Sequence, residues 1–219
     1  QTPRRNAQIA FEKLLQLRTD WTGHASHWDA FPYIETGAEV IPAPSPKGLE
    51  HYTKYITGAG VVIVGGDDVP DGAMLAARES VVYLTSARPE FRTILQENEV
   101  RISLFEGGNT SILPEYPDVN EPGVMAMGRT DVSMTANSAW LCYPGHQDIG
   151  GDPVIHEMVH TINHVVFEQI DETYFYERIY GLALDAIEKG VFGTSYSQKL
   201  ADGESQGMHH YVGEYWAMT

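Results

Sequence analysis

The stretch Asp152-Pro153-Val154-Ile155-His156-Glu157-Met158-Val159-His160-Thr161-Ile162-Asn163-His164-Val165-Val166 decides how the rest of the chain is read. Asp152 is a good helix N-cap, and Pro153 suits the first helical position, where its missing N–H would have no intrahelical partner. Ile155, Met158, Val159, Ile162 and Val166 then recur at helical spacing and predict a core-facing stripe. On another face His156 and His160 stand one turn apart, so their imidazoles can converge on a single ion. Glu157 lies beside them. In this His-Glu-x-x-His pattern two imidazoles hold Zn²⁺, an open coordination position takes water, and the carboxylate is the general base.

The neighbouring polar residues divide by distance. His164 lies eight residues after His156, about 12 Å along an unbroken helix, too far to share one ion, and is expected to cap or support. Asn163 can sit behind the site and hydrogen-bond a ligand, as the outer partners of metal ligands do.

Two imidazoles need a third ligand. The metzincin continuation is absent, because Asn163 stands where glycine is required and Val166 where the third histidine would be. The remaining solution is a glutamate on a following helix, with Glu168, Glu172, Glu177, Glu188, Glu204 and Glu214 as candidates. Glu168 is too near on the same helix, and Glu177, at a thermolysin-like separation, has an ordinary arginine neighbour in Arg178. Glu214 is embedded in Tyr211-Val212-Gly213-Glu214-Tyr215-Trp216-Ala217, which reads as a buried helix. A carboxylate there is costly unless a cation satisfies it, and zinc would do so.

Composition bounds the alternatives. A chain of 219 residues with 42% hydrophobic content can bury one sizeable core. A net charge of −16 argues against nucleic acid and against anionic membrane surfaces as partners. No apolar run reaches the roughly 18 residues of a membrane helix, and the start at Gln1 reads as a processed or engineered end. The single cysteine, Cys142 in Ala-Trp-Leu-Cys-Tyr, rules out an intrachain disulfide and is expected to be a buried, inert thiol. Asn109-Thr110-Ser111 is a sequon in a glycine-rich loop.

Upstream, an amphipathic helix is predicted over 6–18, a proline-marked connector follows, and a short helix is expected around Leu49 to Ile56. Gly60-Val61-Val62-Ile63-Val64-Gly65-Gly66 reads as a buried strand; with no Gly-x-Gly-x-x-Gly it is no phosphate loop. Helices are expected near 71–86 and 89–98, and Val100 to Phe105 alternates like a strand. Glycine, proline and polar residues from Glu106 to Ser133 suggest a long functional loop, Ser138 to Tyr143 an edge strand, and 152–168 and 172–189 two helices. The fold class expected is α+β, a small mixed sheet with a helix carrying the histidines and a helical C-terminal part.

His-Glu-Met-Val-His-Thr-Ile-Asn-His-Val-Val, followed some fifty residues later by Gly-Glu-Tyr-Trp-Ala, resembles the gluzincin zinc metallopeptidases of the lethal factor and Pro-Pro endopeptidase group. The elements from Gly-Val-Val-Ile-Val-Gly-Gly through Arg-Ile-Ser-Leu-Phe-Glu-Gly-Gly to the loop before the histidine helix are also similar in order. The resemblance covers about residues 59–219, implying a zincin-like catalytic domain there and leaving 1–58 as a helical and loop-rich N-terminal extension. It implies His156, His160 and Glu214 as zinc ligands and Glu157 as base. It also implies a tyrosine donating to the oxyanion about seven residues before the ligand glutamate, where Gly207 stands here. Tyr196 best matches the family context but needs an insertion of about a dozen residues, which includes His209 and His210 as an exposed loop; Tyr211 is the closer alternative. Met218 replaces the acid that often follows the family's alanine.

The expectation is therefore a secreted zinc endopeptidase acting on a peptide or protein, held by strand addition near Ser138 to Tyr143. Two rivals are a catalytically silent, zinc-stabilised binding module and a metallohydrolase of non-peptide substrates. Glu157 beside an open coordination position argues against the module, which would need no base.

Overall fold

A computed structural model describes residues 32–44, 51–108, 113–114, 126–130, 132–146, 151–170, 173–191 and 207–218. The helix expected over 6–18, the sequon and Tyr196 lie outside these residues. The chain forms two compact units, Gln1–Val154 and Ile155–Thr219. No helix of the described residues is long and apolar enough to cross a membrane.

The first unit is a six-stranded mixed sheet in the order β1-β2-β3-β4-β6-β5, with strands β1 (Ile41–Pro42), β2 (Lys54–Gly58), β3 (Val61–Gly65), β4 (Arg101–Phe105), β5 (Ala126–Thr130) and β6 (Ser133–Asn137). Together with the helices this is the α+β class expected. β3, β4 and β6 run parallel, while β1 and β5 are antiparallel edges. Between β3 and β4 the chain forms α1 (Asp71–Leu84) and α2 (Glu90–Glu97), the crossover that a parallel pair requires. β3 is buried at every position, which is why its sequence is a continuous β-branched run rather than an alternating one.

Two expectations upstream are corrected. The helix expected around Leu49 to Ile56 is replaced over its described part by β2, whose aromatic and β-branched residues pair with β3 from Lys54↔Gly65 to Gly58↔Val61. Residues 32–36 are tied to side chains of β2: Ile34 N–H donates to the Tyr55 hydroxyl at 2.9 Å, and that hydroxyl donates to Pro32 O at 2.6 Å. The Glu106 to Ser133 loop contains β5, and β6 begins at its last residue. β6 is wholly buried although its sequence is Ser-Met-Thr-Ala-Asn, because Thr135 Oγ1 donates to Ser103 O at 2.6 Å.

The edge strand expected at Ser138 to Tyr143 is not formed. Ser138–Trp140 is a 3₁₀ turn, opened by Asn137 Oδ1 accepting from Ala139 N–H at 3.0 Å. Cys142 is exposed, not buried, since the apolar side chain that enters the core there is Leu141.

The β2–β3 hairpin turns on Ala59 and Gly60, both at positive φ (51° and 87°), as a two-residue type I′ turn demands. A Cβ on Gly60 would lie 2.1 Å from the Arg92 carbonyl oxygen, so this position admits glycine for space as well as for conformation. Gly60→Ala should lower unfolding stability by at least about 2 kcal/mol, read from urea titration. An unchanged midpoint would show that the turn and α2 are not held against each other as described.

Candidate metal centre

The second unit begins within α3 (Pro153–Thr161), continues through a π-helical segment Ile162–Phe167, and adds α4 (Thr173–Glu188) and α5 (Gly207–Met218). The start of α3 follows its sequence: Asp152 Oδ1 accepts from Val154 N–H at 2.8 Å and so caps the helix. The other Asp152 oxygen accepts from the Ser80 hydroxyl of α1. Val154, Met158, Val159, Ile162, Val165 and Val166 are buried, with Val154 taking the stripe position expected of Ile155. That stripe leaves His156, Glu157 and His160 partly exposed on another side. The π segment starts directly after α3, a wide-turn device that is frequent at functional sites.

α5 brings the third ligand. It packs on α4, buries Val212, and stacks Trp216 on Phe167 of the π segment with ring centroids 5.4 Å apart. Glu214 is thereby set against the two histidines. His156 Nε2 lies 3.4 Å from His160 Nε2, Glu214 Oε2 lies 3.4 Å from His156 Nε2, and Glu214 Oε1 lies 3.3 Å from His160 Nε2. His156, His160 and Glu214 could together hold a metal ion.

The electrostatics are those of two imidazoles meeting one carboxylate. Burial pushes the Glu214 carboxyl up, but hydrogen bonding from His156 and His160 outweighs it and holds the group well below the ordinary carboxylate range. Hydrogen bonding to Glu214 raises His156, against burial, which lowers it. Burial raises Glu157, with the two histidines opposing and the Glu214 charge adding to the rise. Glu157 therefore shares the electrostatic field of all three ligand candidates, with a carboxyl shifted toward neutrality as a proton carrier needs.

The other expected residues are placed as follows. Asn163 lies partly buried in the π segment, and no hydrogen bond among the described residues joins it to His156, His160 or Glu214. His164 is exposed, with Nδ1 3.9 Å from Glu168 of the next turn, and takes no part in the cluster. Tyr211 lies on α5, as do His209 and His210, which are helical rather than in the loop expected. Gly213 went unnoticed in the sequence: a Cβ there would lie 3.2 Å from His160 Nδ1. The available signal was a glycine inside an apolar helix, a costly choice unless something approaches closely.

No protein-family model, curated protein or solved structure matches the chain.

The metal-free site makes a pH prediction. His156, raised above 6.5, stabilises the fold fully below that value and ceases to do so as pH climbs through its raised pKa. Glu157, raised above 4.5, acts in the same sense, since folding disfavours its charged form. Glu214, lowered below 4.5, keeps its contribution from there upward and loses it only in acid. In chelator the protein should therefore melt at a lower temperature near about pH 8 than near about pH 6. A melting temperature that is flat or rises over this window would contradict the arrangement.

Proposed function

We propose that this chain is a zinc-dependent endopeptidase with a zincin-like catalytic domain, His156, His160 and Glu214 being its metal ligands and Glu157 its general base. The observation that carries the reading is that the two imidazole Nε2 atoms lie 3.4 Å apart, with one Glu214 oxygen 3.4 Å from His156 and the other 3.3 Å from His160. Donors bound at about 2.0–2.1 Å in a tetrahedron around zinc stand about 3.4 Å from one another. Two imidazoles and one carboxylate also form the donor set of a catalytic zinc site that leaves a fourth position open.

Zinc supplies Lewis acidity when bound, polarising a carbonyl and making water acidic enough to attack at neutral pH. The remaining work belongs to this chain. Glu157, half-withdrawn from water, takes the proton of the attacking water and delivers it to the departing amine nitrogen. A tyrosine hydroxyl, Tyr196 or Tyr211, donates to the oxyanion of the tetrahedral intermediate. An extended peptide is held by strand addition. The resemblance to gluzincins also carries the expectation of an extracellular enzyme.

Zinc content and cleavage of a diverse peptide library test the reading. Wild type should hold one zinc and cleave; Glu157→Gln should keep the zinc and lose turnover by about two to four orders of magnitude. Glu214→Gln and His160→Ala should lose zinc itself. Zinc without cleavage in wild type would favour the silent binding module or a non-peptide substrate, and no zinc would end the proposal.

A further inference from the structure

α4 and α5 each carry a glycine in their interior, Gly181 and Gly213, at a position where alanine would ordinarily be preferred. Neither adopts a positive φ, so neither is required by backbone conformation. Their surroundings differ. A Cβ on Gly181 would meet nothing within 4 Å, whereas one on Gly213 would lie 3.2 Å from His160 Nδ1 and 3.4 Å from its Cε1. Contacts of that length are tighter than most real Cβ contacts, so the imidazole would have to yield.

The direction in which it would yield matters. His160 Nε2 is the atom that faces His156 and Glu214, so Nδ1, against Gly213, is the opposite edge of the same ring. A ligating histidine is ordinarily oriented by a hydrogen bond from its second nitrogen. Among the described residues no such bond reaches His160 Nδ1. Close packing on the bare backbone of α5 takes its place. Gly213 also precedes Glu214, so the residue that seats the His160 ring and the residue that supplies the carboxylate are fixed by a single helix position. Any shift of α5 therefore moves both together.

We propose that Gly213 is the positioning residue of the metal centre: the absence of its side chain sets the orientation of the His160 imidazole toward the ion. This rests on the metal-site reading above and adds the device that aligns one of its ligands.

The test compares Gly213→Ala with Gly181→Ala. In the full chain loaded with Co²⁺, a spectroscopic stand-in for zinc, Gly181→Ala should leave both metal affinity and the visible absorption spectrum unchanged. Gly213→Ala should weaken Co²⁺ by roughly tenfold or more, as loss of a supporting contact to a ligating histidine does, and should alter the band pattern. A metal-independent measurement guards against simple misfolding. Gly213→Ala should lower the melting temperature in chelator, and the same substitution made in the His160→Ala background should raise it, as Gly181→Ala does. Equal affinity and spectrum in wild type and Gly213→Ala, or a melting loss that persists without the His160 ring, would overturn the proposal. Wild type that takes up no Co²⁺ would instead refute the metal-site reading; the thermal cycle would then still report whether the ring and the glycine touch.

Discussion

A carboxylate drawn out of water must find positive charge or lose its own, and the second unit is organised around meeting that need for Glu214. Burial works against the ionised group, and the imidazoles of His156 and His160 more than reverse it. Several contacts position this meeting of one acid and two bases. The cap at Asp152 fixes where α3 starts and hence which side His156 and His160 occupy. The Phe167–Trp216 stack and the burial of Val212 hold α5 in place, and Gly213 lets it approach closely enough for Glu214 to reach both rings. Loss of both imidazoles would leave a half-buried charge without its partners, a costlier state than never having buried it.

The histidine helix was legible because everything that specifies it is local. Cap, first-turn proline, apolar period and the one-turn spacing of the imidazoles all fall within fifteen residues, and Met158, Val159, Ile162 and Val166 are buried as the pattern requires, with Val154 buried in place of Ile155. Glu214 was legible for a different reason: an acid among aromatic and small residues is an anomaly that only a partner resolves.

The sheet was read less well, again for physical reasons. β6 looks like a loop because its side chains are polar, and what makes Thr135 acceptable inside the sheet is a backbone group of a distant strand, Ser103 O. No local pattern reveals a partner thirty residues away. β2 was mistaken for a helix although Tyr55, Ile56 and Thr57 favour a pleated surface, and Ala59-Gly60 lacks the Asn-Gly signature that usually announces a two-residue turn. Gly213 offers only the signal of a glycine inside an apolar helix; what it faces, the His160 ring, depends on the fold.

The central claim is that one ion sits among His156 Nε2, His160 Nε2 and a Glu214 oxygen. Diffraction from zinc-soaked crystals on either side of the zinc absorption edge tests it without recourse to activity. The account predicts a single anomalous peak within about 2.0–2.2 Å of all three donors. A peak elsewhere, or none while the three side chains close to ion-pair distance, would show that the cluster is a charge pair and not a metal centre.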